Sequence, residues 1–329
     1  MSAAVTVSMV TWNSAKVIRD CLLSLAAQTF QDFSVTVVDN GSIDHTVTVV
    51  RETFPPASLI QKRRNMGFGA AHNQALRISR SPLVLCLNPD TILEPSALAL
   101  LVETMQRQAR AGAVGPKLRR SRRGASEFDL VERLTALDST GIVRDRSGAV
   151  RDRGAGEEDT GQYDRAEPMF ALSAACCLYR RAALEDIRFR DEFFDADFFM
   201  YKEDVDLSWR FRHRGWTCWY EPRAVVFHAR SGLPPAARNS PRAQRQLRLA
   251  RPLHLRQRSY RNHFLVAYKN QPFGDLLRRL PWTIPYEVGK FFFLLGTEPR
   301  TLAGLGQAVA ALPRLWPKRQ HILRQRQTA

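Results

Sequence analysis

The sequence predicts an α/β fold: a mostly parallel, Rossmann-like sheet flanked by helices, with a basic helical extension towards the C-terminal end. Three observations carry that expectation. Apolar, β-rich runs alternate with helical patterns over residues 5–110, which is how a parallel sheet with helices on both faces reads. Turns rich in Asn, Asp, Gly and Ser close the strand-like runs, so they should gather at one rim of the sheet, where open α/β sheets bind ligands. Charge is segregated: residues 231–329 hold 18 Lys and Arg against three acids, whereas the preceding part holds 31 basic and 29 acidic side chains.

Strands are expected over residues 5–10, 34–38, 83–87 and, briefly, 113–114, where aliphatic and β-branched residues run together. Helices are expected over residues 15–28, 46–52, 70–79 and 95–110. From Lys117 to about Arg165 the chain is polar and aperiodic and reads as one long loop, a length that in compact proteins is functional or disordered. Residues 170–179 restore a strand, and about 202–214 a helix stopped by Gly215. Two short strands follow, over residues 217–220 and 224–228. Gly232, Pro234, Pro235 and Pro241 then mark a linker into the basic tail.

With 44% hydrophobic and 9% aromatic residues the chain can bury a proper core, which excludes an intrinsically disordered protein. Its five cysteines form no CxxC pair, a pattern that suits a reducing compartment. Residues 1–14 run straight into a strand without a basic stretch ahead of an apolar one, so no signal peptide is expected.

Four polar clusters could carry chemistry. Asp39, followed by Asn40-Gly41-Ser42, ends a strand and either meets a nucleobase or ribose or caps a turn. Asn88-Pro89-Asp90 ends another, where a carboxylate can share Mg²⁺ or Mn²⁺ with substrate phosphates or cap the next helix. Gly67 and Gly69, behind Asn65, precede a helix whose N-terminus could face phosphate, or simply form a tight turn. Glu203, Asp204 and Asp206 crowd one helical turn. Acids favour that place against the helix dipole, and Asp206 could pair with Arg210 one turn on; a carboxylate beside the apolar 198–201 segment could instead act as a general base. His228 closes a strand, and Arg230 beyond it could meet phosphate.

Taken in order, the segments VTWNS (10–14), VVDNGSIDHT (37–46), NMGFGAAHNQAL (65–76), LNPDTILEP (87–95), SAACCLYRRAAL (173–184), FFMYKEDVDLSWRFRHRGW (198–216) and VVFHARSG (225–232) resemble family 2 glycosyltransferases of the GT-A fold, in particular bacterial rhamnosyltransferase-like members. The likeness covers about residues 5–232, and DSTG (138–141) and DTGQYD (159–164) match the same subgroup. The resemblance implies a nucleotide-sugar-binding half at 1–116 and an acceptor-binding and catalytic half of the same domain at 117–232; beyond it the charge marks a basic helical C-terminal region at 233–329. It implies a donor site of Thr11, Asn13, Asp39, Asn65, Gly67 and Asn88, a divalent cation (Mg²⁺ or Mn²⁺) at Asp90 and His228, and Asp204 as base. Glu203, Asp206, Arg210 and Arg230 would support them. Two positions depart from the family pattern: Asn88 stands where the metal motif's first acid is usual, and Ala174 where Ser-Gly-Ala is usual.

The implied reaction is inverting transfer of a sugar, rhamnose among the possibilities, from a nucleotide diphosphate donor to a lipid-linked or polysaccharide acceptor of the cell envelope. Residues 282–296 are apolar but too short and too charged to span a bilayer, so the basic tail is expected to dock on an anionic membrane surface. The protein is accordingly expected in the cytoplasm, peripheral on the inner face of the membrane. Without a recognised binding motif beside the charge, nucleic acid is not an expected partner. Two alternatives stand beside this reading: a non-catalytic basic membrane- or nucleic-acid-binding protein on a degenerate nucleotide-binding fold, and a nucleotidyltransferase. The latter lacks its glycine-rich basic loop after the first strand.

Overall fold

The computed structural model describes residues 3–122, 132–229 and 249–326. At its centre β1 (Val5–Thr11) pairs in parallel with β2 (Phe33–Asp39) on one side and β4 (Leu83–Leu87) on the other, and β3 (Ser58–Gln61) extends the sheet beyond β2. The crossovers are α1 (Ala15–Ala26), α2 (Thr46–Thr53) and α3 (Phe68–Ile78). Alternation along β1 explains the layering. Val5, Val7 and Met9 enter a core with Ile18, Leu22 and Leu25 of α1 and Leu98 and Leu101 of α4 (Ala97–Arg107). Ser8 faces the other way, bonded to His72 of α3 at 2.8 Å. Both faces are covered, so the strands are buried on both sides.

The second half departs from the expected loop. β5 (Thr91–Leu93) precedes α4; β6 (Ala111–Arg122) runs far past residue 114, and β7 (Glu132–Ser139), β8 (Ile142–Arg144) and β9 (Val150–Asp152) fill the stretch that reads as aperiodic. These strands bury charge among their aliphatic side chains, which breaks the apolar pattern: beside buried Leu118 and Leu137, Lys117 meets Asp159 at 3.0 Å inside the protein. Of the strand expected at 170–179 only the end forms, as β11 (Cys176–Arg180), which sits antiparallel between β4 and β6; the short β10 (Glu167–Met169) lies just ahead of that span. After α5 (Arg181–Asp186) and α6 (Glu203–His213), the two short strands expected at 217–228 are one, β12 (Thr217–His228), interrupted by an irregularity between Glu221 and Val225.

The tail forms α7 (Leu253–Asn270), α8 (Phe273–Thr297) and α9 (Ala303–Arg324). Leu265 and Val266 of α7 and Ala308, Ala311 and Leu315 of α9 pack with Phe198, Val205 and Trp209. Lys269 Nζ, buried, bonds Asp195 at 2.6 Å and Asp206 at 2.9 Å, and Lys318 bonds Asp195 at 2.5 Å. α8 stands outside: of its 25 residues only Leu294 is buried. The linker at 232–241 and Arg230 lie outside the described residues.

Candidate active site

Two cavities meet at the carboxyl ends of β1, β2 and β4. The first, about 290 Å³, is lined by Thr11, Asn13, Asn65, Gly67, Asn88 and Asp90, all anticipated from the sequence. Asn40, which was not, builds it: its amide donates to Asn65 Oδ1 at 3.0 Å and accepts from Met66 N at 2.9 Å. Gly67 has φ +88°, and a Cβ there would stand 2.5 Å from the carbonyl oxygen of Phe199, so only glycine fits. Asp39 lies behind the cavity. Its oxygens accept from Thr11 Oγ1 at 3.1 Å and Ser42 N at 3.2 Å, tying two of the lining turns together. Oδ1 also accepts from Ser42 Oγ at 2.5 Å, so only Oδ2 keeps a lone pair for a ligand.

Antiparallel pairing of β5 with β12 sets His228 opposite Thr91 and so beside Asp90. His228 Nε2 is 3.4 Å from Asp90 Oδ1, and its Nδ1 is 2.9 Å from Asp138 Oδ2. Burial alone would lower the histidine's pKa; the two carboxylates outweigh it and push it up to about 10. The ring is thus held protonated between the two carboxylates. A carboxylate oxygen and an imidazole nitrogen, with a second carboxylate orienting the ring, form a donor set that fits Mg²⁺ or Mn²⁺. Among the described residues no three His, Cys, Asp or Glu side chains come together as a metal-holding group. Asp138 escaped the sequence reading, although DSTG (138–141) had marked its neighbourhood.

The second cavity, about 350 Å³, shares Phe68, Asn88 and Met200 with the first and is lined by Ser173, Glu203, Asp204 and His228. Asp152 of β9 also lines it. Asp204 accepts from Val205 N at 2.8 Å and Ala174 N at 3.4 Å. Burial raises its pKa and Asp152 adds to the rise, against those two N–H groups and Lys202. Glu203, more deeply buried and beside Asp204, is pushed up to about 8. The approach to α6 is strained: Phe199, Tyr201 and Lys202 have φ of 66°, 71° and 68°. Asn262 of α7 holds it, its amide donating to the carbonyls of Phe198, Met200 and Tyr201 at 2.9, 2.9 and 2.8 Å.

Asp206 and Arg210 do not join this cavity. Two residues along a helix turn the side chain by about 200°, which points Asp206 at α7 instead. It bonds Asn270 Nδ2 at 2.8 Å and Arg210 at 2.9 Å, and Arg210 reaches the Ile187 carbonyl at 3.0 Å. These two expected supporting residues are structural.

The model of glycosyl transferase family 2 matches residues 6–188. The chain belongs to glycosyltransferase family 2. This family 2 enzyme is 29% identical over 243 residues to the N-acetylglucosaminyl-diphospho-decaprenol L-rhamnosyltransferase of Mycobacterium tuberculosis, covering 69% of this chain and 76% of that one. Solved GT-A structures share its fold. The mannosyltransferase PcManGT from Pyrobaculum calidifontis, in complex with GDP-Man and Mn²⁺, superposes with a TM-score of 0.53 at 18% identity, covering 99% of this chain and 86% of that one. GalNAc-T7 with UDP, GalNAc and Mn²⁺ gives 0.55 at 13% identity over 75% of this chain, which spans only 48% of that one. The expected family, fold and rhamnosyltransferase likeness thus hold for this glycosyltransferase. Among the described residues no helix is long and apolar enough to cross a membrane.

Proposed function

We propose that this glycosyltransferase inverts the anomeric centre as it moves a sugar, with rhamnose the first to test, from a nucleotide diphosphate to a lipid-linked or cell-envelope glycan. The observation that carries the reading is the meeting of two cavities at Asn88. One side carries Asp90, at the mouth of a crevice sized for a nucleotide; the other carries Asp204, whose carboxylate has a raised affinity for protons.

In this reading Thr11, Asn13, Asn65 and Gly67 enclose the nucleotide, and Asp39 reaches its base or ribose. A divalent cation held by Asp90 and His228 would offset the charge gathering on the departing diphosphate. The acceptor hydroxyl lies in the second cavity and attacks from the face opposite the diphosphate, while Asp204 takes its proton. A single displacement from that side inverts the centre. The basic tail and the exposed apolar face of α8 support attachment to an anionic membrane surface on the cytoplasmic side.

Asp204→Asn tests the reading. Transfer, or donor hydrolysis with water as acceptor, should fall by about 10²–10⁴-fold. Nucleotide affinity, measured by calorimetry, should hold. A folded variant with near-normal turnover would remove Asp204 from the role.

A further inference from the structure

A third cavity, about 700 Å³, opens beneath the start of α8, away from the two described above. Four guanidinium groups line it, from Arg144, Arg212, Arg279 and Arg326, and Asp275 is the one acid on its wall among the described residues. Arg144 is the built part of the site. Its side chain is 7% exposed, its guanidinium lies 4.3 Å from the Trp209 ring centroid, and Nη1 donates to Asp275 at 3.0 Å. Its Nε is buried with no partner among the described residues. Asp275 already answers Arg279 at 2.9 Å as well, so one carboxylate faces four cations. Arg212 and Arg326 are exposed at the rim.

Such an excess of planar, fork-shaped donors suits phosphate. The neighbouring surface suits a hydrocarbon. Asp275 and Arg279, one helical turn apart on α8, face the cavity; Phe273 and Leu277, also a turn apart, face solvent. Phe273 is 68% exposed, and the apolar surface continues through Ile284 to Phe292 at 63%. We propose that this cavity seats the phosphate of an anionic phospholipid while α8 lies in the bilayer interface beside it. The proposal rests on the membrane-surface part of the proposed function and gives that surface a specific contact.

The test uses the full chain and vesicles of phosphatidylglycerol in phosphatidylcholine, floated at physiological salt, against phosphatidylcholine alone. The double variant Arg212→Ala, Arg326→Ala removes two rim charges from exposed positions. At about 1 kcal/mol per basic residue near an anionic surface, it should lose roughly 30-fold in vesicle affinity. Arg300→Ala with Arg324→Ala, equal in charge and off the cavity, should lose only a few-fold. Inorganic phosphate and glycerophosphoglycerol, tested by thermal shift, should bind far more weakly than vesicles. Equal losses in the two double variants, equal binding to the neutral vesicles, or full-strength binding of free phosphate without vesicle binding would each overturn the proposal. Nucleotide binding is measured on the same proteins; its absence would undo the transferase reading and leave the vesicle result standing by itself.

Discussion

Replacing Asn262 by Ala removes an amide that is wholly inside the protein and serves three main-chain carbonyls at once. An amide has two hydrogens, so the three contacts share what two bonds would supply. Two neutral bonds at about 1 kcal/mol each, plus about 1–3 kcal/mol for a carbonyl left dry, give a loss of roughly 3–5 kcal/mol. The segment it holds includes three non-glycine residues at positive φ, each costing about 1–3 kcal/mol, so its native shape has little reserve once the clamp is gone. Asp204 should then lose its position, and an error of about 1 Å is enough to lower donor turnover about 100-fold. Nucleotide affinity should change far less, because Thr11, Asn13 and Asp90 stand on the ends of β1 and β4. Leu101→Ala serves as the comparison: it is buried in the core between β1 and α4, away from the loop, and should cost about 2–5 kcal/mol. Urea unfolding measures both losses, and turnover per folded molecule separates them. If Asn262→Ala unfolds more easily yet turns over normally, or if both variants slow alike, the clamp is not what places Asp204.

Asp138→Asn should weaken Mn²⁺ binding in the presence of a nucleoside diphosphate by about 10–100-fold, the usual effect of losing a carboxylate that orients a metal-binding histidine; unchanged affinity in calorimetry would deny Asp138 that part. Glu203 gives a pH dependence. Its carboxyl is held at about 8 when folded against an ordinary 4.5, so folding takes up a proton, and stability should fall as pH rises from about 4.5 to 8 and level off above. Glu203→Gln should flatten that limb and exceed the parent in stability at pH 8; identical slopes in urea unfolding would assign the effect elsewhere.

Much of this site is legible in the sequence because loops after parallel strands converge by geometry. Once residues 5–10, 34–38 and 83–87 read as strands, Thr11, Asp39 and Asp90 had to share a rim, and five of the six donor residues line one crevice as expected. What stayed hidden depends on partners far along the chain. Asp138 matters only because β12 delivers His228 beside it, and a lone Asp in a polar stretch gives no sign of that. Strands β6 and β7 escaped because buried Lys117 and Arg120, paired with carboxylates, interrupt the apolar residues that the same strands bury. Asp206 looked like a third member of an acidic turn until Lys269, 63 residues on, was found holding it. The tail reads as a basic helical extension beyond a linker, and its charge gives no sign that Lys269 and Lys318 are neutralised by acids inside the protein.

Lys269 and Asn262 give the order of synthesis a meaning. As the chain leaves the ribosome, every motif that carries the family likeness emerges by Gly232, when Asp206 already has Arg210 but Asp195 still lacks both Lys269 and Lys318. A buried charge stripped of its partner costs about 3–5 kcal/mol, enough to keep that half-made site open. A nascent chain of this kind would form the crevice at the ends of β1, β2 and β4 before the segment bearing Asp204 is fixed, with the docking of α7 and α9 as a later step of assembly.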